Sequence, residues 1–431
     1  MKYFGTDGIR GVADEFLTVE LATRLGRSLS LLSSKKLIIG MDTRDSSKRL
    51  AEGVLQGALE VGIDVALLGV VPTPLLAFAS MQYQCLGVMI TASHNPYQDN
   101  GLKVFQNGKK LFLDDEEALE KGLNNPKILV PASEKGQIFQ ANNVINDYLS
   151  LYQNLLALTQ EPIAFDFANG ATSLLGPTLF AKYFPNMVTI GTTPDGFNIN
   201  RGVGSTHLEA VSEVVKTHHC RYGLAFDGDG DRVLMVDEQG HEINGDQLIY
   251  VIAKYLKSTN QLNHDTVVLT KMSNLGVIQA LESHGIHVIQ TDVGDKYVID
   301  TMDQFDFQLG GENSGHIINR LLINTGDGML NAAYLFMILR KTGESLSSLS
   351  QEIEWYPDRL VNLKGMNRDL VKHPEIRALV TSIEQELGKY GKILVRASGT
   401  EPLIRISCSA KTEELVNHYI DVIKQKLISL E

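Results

Sequence analysis

Residues 227–232 read DGDGDR and lie between two apolar runs, GLAF and VLMV. Three carboxylates so close together, Asp227, Asp229 and Asp231, repel one another unless a cation joins them. Gly228 and Gly230 permit the tight backbone that lets all three point at one ion. An all-oxygen donor set favours a hard cation, Mg²⁺ ahead of Mn²⁺ or Ca²⁺. An EF-hand would count Glu238 as its twelfth residue, but Arg232 stands at the sixth position, where that loop needs glycine. A solvated acidic turn between two strands is the competing reading.

Four further segments carry chemical groups. TASHNP at 91–96 follows the apolar run LGVMI, which puts Ser93 and His94 at the carboxyl end of a strand, where open α/β sheets hold ligands. No Gly-x-Ser-x-Gly elbow surrounds the serine, so acyl transfer is not indicated. Taken alone, the segment reads better as a polar turn than as a site. NGLKVF then places Lys103 on or beside a strand. RASGTEPLIR at 396–405 offers the backbone and hydroxyls of Ser398, Gly399 and Thr400 between Arg396 and Arg405, a cradle for one phosphate. GGENSGH at 310–316 sets Glu312, Asn313 and Ser314 on a glycine scaffold suited to a polyhydroxylated ligand, with His316 as a proton carrier or phosphate contact. Arg10 and Arg44 fall in polar segments that read as turns, each either a phosphate contact or an ordinary turn residue. Together, a hydroxyl nucleophile, a metal loop, a sugar loop and a phosphate clamp describe phosphoryl transfer, with a cation beside Ser93 offsetting the charge of the moving group.

The elements that must position these groups alternate. Runs at 37–41, 65–68 and 86–90 read as buried strands, and Leu21, Leu25, Leu29 and Leu32 share one helical face between them. Thr18 and Ser46 are the expected N-caps of the first two helices. The alternation restarts after about residue 143 and again after the turn at 237–240, which implies α/β domains with mixed sheets. From about Tyr356 two close strand patterns precede a terminal helix, a small α+β domain. The expected boundaries are 1–143, 144–240, 241–355 and 356–431. With 431 residues, 43% of them hydrophobic, the chain can bury its cores without disulfides. The net charge of −12 argues against nucleic acid or an anionic membrane as a partner. Cys85, Cys220 and Cys408 are odd in number and far apart, and the N-terminus lacks a signal-like apolar stretch, so a cytoplasmic location is expected. The sequence allows a homodimer without specifying one.

FGTDGIRG, TASHNP with NGLKVF, DGDGDR, GGENSGH and RASGTEPLIR occur in the order in which the α-D-phosphohexomutase family carries them, and the chain resembles that family from Phe4 to Arg405. The resemblance implies three mixed-sheet α/β domains and a smaller C-terminal α+β domain around a central cleft. It implies that Ser93 is the phosphoserine and, with Asp227, Asp229 and Asp231, a ligand of one Mg²⁺. Arg10, Lys103 and His94 then handle the substrate hydroxyl proton and the moving phosphate. Glu312 and Ser314 contact sugar hydroxyls, with Asn313 and His316 beside them, and Arg396, Ser398, Gly399, Thr400 and Arg405 clamp the other phosphate. GENSGH, VGDKYV at 293–298, NTGDG at 324–328 and GFNINRGVGSTHLE at 196–209 are similar to the hexosamine branch of the family. That branch interconverts glucosamine 6-phosphate and glucosamine 1-phosphate through a 1,6-bisphosphate, toward UDP-N-acetylglucosamine. Phosphoglucomutase/phosphomannomutase activity is the alternative. Lys271 and Lys296 depart from the residues usual in that branch.

Overall fold

A computed structural model describes residues 2–5, 7–397 and 403–431. The chain forms two compact units, Met1–Met272 with Ile286–Ser350, and Ser273–Gly285 with Gln351–Glu431. It has the four-domain α/β architecture with mixed sheets that the alternation implies.

The chain opens with β1 (Ile9–Val12), α1 (Val19–Ser28), β2 (Lys36–Met41), α2 (Asp45–Glu60), β3 (Asp64–Val70), α3 (Thr73–Gln82), β4 (Leu86–Ile90), β5 (Asp99–Gln106), β6 (Lys109–Lys110) and α4 (Leu113–Asn124). Their sheet has the order β1-β5-β4-β2-β3, with β6 on β5. β2 pairs parallel with β3 and β4, and β4 pairs antiparallel with β5. Helix α5 (Val144–Ser150) leads to β7 (Ile163–Asp166), α6 (Thr172–Phe180), β8 (Val188–Ile190), α7 (Leu208–His218), β9 (Tyr222–Phe226), β10 (Val233–Val236) and β11 (Glu242–Ile243), in the order β11-β10-β9-β7-β8. Next come α8 (Gly245–Ser258), β12 (Thr266–Thr270), α9 (Leu275–Ser283), β13 (His287–Thr291), α10 (Asp295–Phe305), β14 (Leu309–Gly311), β15 (Ile317–Asn319), α11 (Gly328–Thr342) and α12 (Leu346–Ser350). Their sheet runs β13-β12-β14-β15. The last elements are β16 (Asp358–Lys364), α13 (Pro374–Leu387), β17 (Gly391–Ala397), β18 (Leu403–Ala410) and α14 (Glu413–Ser429), with an antiparallel sheet β16-β18-β17.

The apolar runs become strands because helices cover both faces of the sheets, so every residue of β4, β9, β10 and β12 is buried. Phe226 ends β9 in an aromatic stack with Phe167, ring centroids 5.5 Å apart, and so fixes the strand end from which Asp227 departs. Thr18 caps α1 as expected, accepting from the Leu21 N–H at 3.1 Å. Ser46 does not cap α2. The helix starts one residue earlier, and the Ser46 hydroxyl instead accepts from Asn100 Nδ2 at 2.8 Å, tying α2 to β5. Arg10 lies on β1 rather than in a turn, because its backbone is recruited as an edge partner of β5 opposite Gly101. Cys85, Cys220 and Cys408 are buried free thiols. No helix among the described residues is long and apolar enough to cross a membrane.

Helices α1 and α2 pack backbone against backbone: a Cβ on Gly57 would sit 2.0 Å from the Thr23 carbonyl oxygen. Gly57→Ala is therefore expected to cost about 1–3 kcal/mol through overpacking. A urea unfolding curve reads this directly, and an unchanged midpoint would show that the crossing relaxes freely.

Candidate active site

Three loops of the first unit are the same connection in three different sheets. Each leaves a strand that is parallel to one neighbour and enters an antiparallel one: β4 to β5 carries Ser93, β9 to β10 carries DGDGDR, and β14 to β15 carries GENSGH. This places them at the carboxyl ends of strands, where a sheet leaves a crevice.

The loops meet. Ser93 Oγ donates to Asp227 Oδ2 at 2.5 Å and lies 3.2 Å from His94 Nδ1. Lys103 Nζ on β5 donates to Asp229 Oδ2 at 2.8 Å and Asp231 Oδ2 at 3.2 Å, and Thr73 Oγ1 donates to Asp229 Oδ2 at 2.6 Å. His316 Nδ1 lies 3.5 Å from Asp231 Oδ1. The sugar-suited loop touches the acidic one through its backbone, the Val233 N–H donating to the Gly315 carbonyl at 3.1 Å. Glu312 and His316 are buried, while Asn313 and Ser314 are half-buried. Arg10 pairs with Asp7, which also receives Lys103 at 3.1 Å.

Burial and then repulsion from Asp231 and Asp229 push the Asp227 carboxyl well above the usual carboxylate range. Burial works against the charge on Asp231 too, but Lys103, His316 and Arg232 outweigh it and hold that carboxyl well below its ordinary value. Burial depresses Lys103, yet Asp229, Asp231 and Asp7 prevail and keep the ammonium charged. His94 is lowered to about 4 by burial and by Arg232 and Arg10, so its imidazole is neutral near pH 7.

These residues fit a divalent cation. One carboxylate oxygen from each of Asp227, Asp229 and Asp231 lies within 4.8 Å of the others. Among the described residues, Asp229 Oδ1 and Asp231 Oδ1 are buried without a hydrogen-bond partner. Buried oxygens are rarely left so unless something else coordinates them.

In the second unit, β17 and β18 pair so that Arg396 stands directly opposite Arg405. Ser398, Gly399 and Thr400 lie outside the described residues.

Four models of phosphoglucomutase/phosphomannomutase domains match in sequence: α/β/α domain I over residues 1–128, domain II over 146–240, domain III over 244–356 and the C-terminal domain over 360–426. The phosphoglucosamine mutase of Halalkalibacterium halodurans is 45% identical over 443 residues, spanning 99% of each chain. The chain belongs to the phosphoglucomutase/phosphomannomutase family. The phosphoglucosamine mutase of Bacillus subtilis is 43% identical over 437 residues, 97% of each chain. A crystal structure of a phosphoglucomutase/phosphomannomutase family protein from Burkholderia thailandensis has the same fold, with a TM-score of 0.82 at 21% identity, covering 98% of this chain and 97% of that one.

In this member of the family, several site residues carry no sequence signal of their own. Arg44 reads as a turn residue, yet it is fully buried and braced by Asp42 at 2.8 Å. Its guanidinium donates to the carbonyls of Ser93 at 2.9 Å, Asn95 at 2.8 Å and Asp99 at 3.0 Å, and also to that of Pro96. Asn200, inside GFNINRG, donates to the same Ser93 and Asn95 carbonyls at 2.9 and 3.1 Å. Asp327 of NTGDG caps α11 through the Leu330 N–H at 2.9 Å and accepts from Tyr148 Oη at 2.7 Å, while the Gly328 N–H holds the Gly230 carbonyl at 3.0 Å. Lys271 pairs with the exposed Asp292, and Lys296 with Glu116 of α4 at 2.9 Å.

Because the metal-free Asp227 carboxyl titrates above its usual range, loading a divalent cation must expel its proton. Affinity is then expected to rise with pH until Asp227 is ionised in the free protein. Calorimetric Mg²⁺ titrations repeated at decreasing pH, each in buffers of different ionisation enthalpy, should reveal net proton release that grows as the pH falls. A heat independent of buffer would contradict the assignment.

Proposed function

We propose that the protein interconverts glucosamine 6-phosphate and glucosamine 1-phosphate, as an isomerase-type phosphotransferase supplying UDP-N-acetylglucosamine synthesis. The observation that carries this reading is the Ser93 hydroxyl held 2.5 Å from Asp227, inside a buried tri-carboxylate cluster, in a chain 43–45% identical to full-length phosphoglucosamine mutases. The labour divides by domain: residues 1–143 carry the phosphoserine loop, 144–240 the metal loop, 241–355 the sugar loop and 356–431 the clamp for the non-transferring phosphate.

Phospho-Ser93 gives its phosphoryl group to the free hydroxyl of the sugar phosphate, which becomes a 1,6-bisphosphate while its proton passes to the serine oxygen. The bisphosphate turns within the site and returns its other phosphoryl group to Ser93, leaving the isomer. Asp227, Asp229, Asp231 and Ser93 would hold a Mg²⁺ ion, which when bound would supply charge neutralisation for the group in transit. His94, whose Nδ1 lies 3.2 Å from Ser93 Oγ, is the residue to which we assign handling of the proton. Arg10 and Lys103 draw the moving phosphoryl oxygens. Glu312, Asn313, Ser314 and His316 hold the sugar. Arg396 and Arg405, like charges opposite one another on paired strands, are stabilised by a shared anion, which is the role given to them with Ser398, Gly399 and Thr400.

Purified protein supplied with Mg²⁺ and a hexose 1,6-bisphosphate activator is expected to turn over glucosamine phosphate in preference to glucose and mannose phosphates. A preference for the neutral sugars would favour phosphoglucomutase/phosphomannomutase activity instead. A species heavier by ~80 Da, mapping to Ser93, is expected in the intact mass. Ser93→Ala should abolish both that species and turnover, and near-full activity of the variant would overturn the mechanism.

A further inference from the structure

Lys110 is absent from every chemical motif of the sequence, yet the fold carries it from β6 into the centre of the site. Its Nζ joins Asp7 Oδ1, in the N-terminal loop, to Asp295 Oδ2, at the start of α10, 2.5 Å away. Asp295 in turn lies 3.5 Å from His316 Nε2, and His316 Nδ1 lies 3.5 Å from Asp231. Asp231 receives Lys103 at 3.2 Å, and Lys103 reaches Asp7 at 3.1 Å. The six groups Asp7, Lys103, Asp231, His316, Asp295 and Lys110 thus close a ring of alternating acid and base.

Within the ring Asp7 has two separate faces. Oδ2 faces Arg10 and Lys103, the two cations assigned to the moving phosphoryl group, and Oδ1 faces Lys110. A carboxylate competes with a phosphoryl group for the same donors, and the competition weakens as another cation satisfies it. Lys110 is 14% exposed at its side chain, so its charge is screened little by water.

We infer that Lys110 is a positioning residue for phosphoryl transfer: it neutralises Asp7 from one side, leaving Arg10 and Lys103 available to the phosphoryl group, and grips Asp295 beside His316 of the sugar loop. The inference rests on the phosphomutase reading above. Its distinctive consequence is charge compensation. Removing Lys110 leaves Asp7 to hold Arg10 and Lys103, whereas removing the Asp7 charge as well releases them.

The test measures single-turnover loss of label from phospho-Ser93 to glucosamine 6-phosphate, beside kcat, KM and melting temperature. Wild-type protein is measured first; failure to transfer to any hexose phosphate would overturn the phosphomutase reading itself. Given transfer, Lys110→Met is expected to slow it on the order of 100-fold, mainly in kcat. Lys110→Arg should regain most of the rate, and Asp7→Asn combined with Lys110→Met should run at least ~10-fold faster than Lys110→Met alone. A Lys110→Met protein that transfers at the wild-type rate, or a double variant no faster than the single one, overturns the role of Lys110 and leaves the phosphomutase reading intact. Should Lys110→Met fail to fold, Lys110→Gln, alone and with Asp7→Asn, decides by the same criteria.

Discussion

The structure is organised around mutual repulsion among Asp227, Asp229 and Asp231, all buried, with one oxygen of each within 4.8 Å of the others. Two like charges 4 Å apart repel by about 4 kcal/mol even at an effective dielectric of 20. The glycines between the acids give the carboxylates room to turn but do not offset that cost. Opposing charge comes in part from the loop's own end, through Arg232, and otherwise from distant elements, Lys103 of β5 and His316 of the β14–β15 connection. Thr73 adds a neutral donor from the start of α3. Since these partners come from three sheets, each sheet must present its loop at one place, and the tertiary arrangement of the first unit follows from that requirement.

The way this is achieved was only half visible in the sequence. The apolar runs gave the strands well, since β4 coincides with the run at 86–90 and β2 and β3 enclose those at 37–41 and 65–68. No strict repeat is legible along the chain, yet the same connection occurs three times, from a parallel strand to an antiparallel neighbour. Pairing direction is a long-range property that an apolar run does not record, so β1 and the antiparallel return through β5 escaped a reading based on periodicity. The motifs showed which loops matter, and the topology shows why they are equivalent.

Side chains whose chemistry is spent on the backbone were the least legible. Arg44 and Arg10 look alike in the sequence, each an arginine in a polar stretch, and both pair with a nearby carboxylate, but only Arg44 is wholly buried with its guanidinium donating to loop carbonyls. Ser46 carries the signature of a helix cap and uses its hydroxyl to anchor Asn100 instead. Lys110 belongs to no recognisable motif, and Asp295 sits inside VGDKYV without a chemical signal of its own. For Arg44, Ser46, Lys110 and Asp295 a deciding partner lies far along the chain, and spacing cannot encode it.

Ser93 itself shows why such backbone partners are needed. It has φ +52°, in the left-handed region, where a residue other than glycine costs on the order of 1–3 kcal/mol. Glycine would relax the turn but would carry no hydroxyl. The turn is held by the Ser93 N–H donating to Thr91 Oγ1 at 2.9 Å, and by Arg44 and Asn200 converging on the Ser93 and Asn95 carbonyls from distant parts of the first unit's sequence. Gly228 completes the fit, since a Cβ there would approach the Ser93 carbonyl to 2.5 Å and Asn200 Nδ2 to 2.8 Å. The glycine of the acidic motif therefore lets the metal loop close against the serine loop, as well as giving the carboxylates room to turn. A serine can occupy this position because the loop that would bind the cation and the loop that would bear the phosphate are packed as one piece.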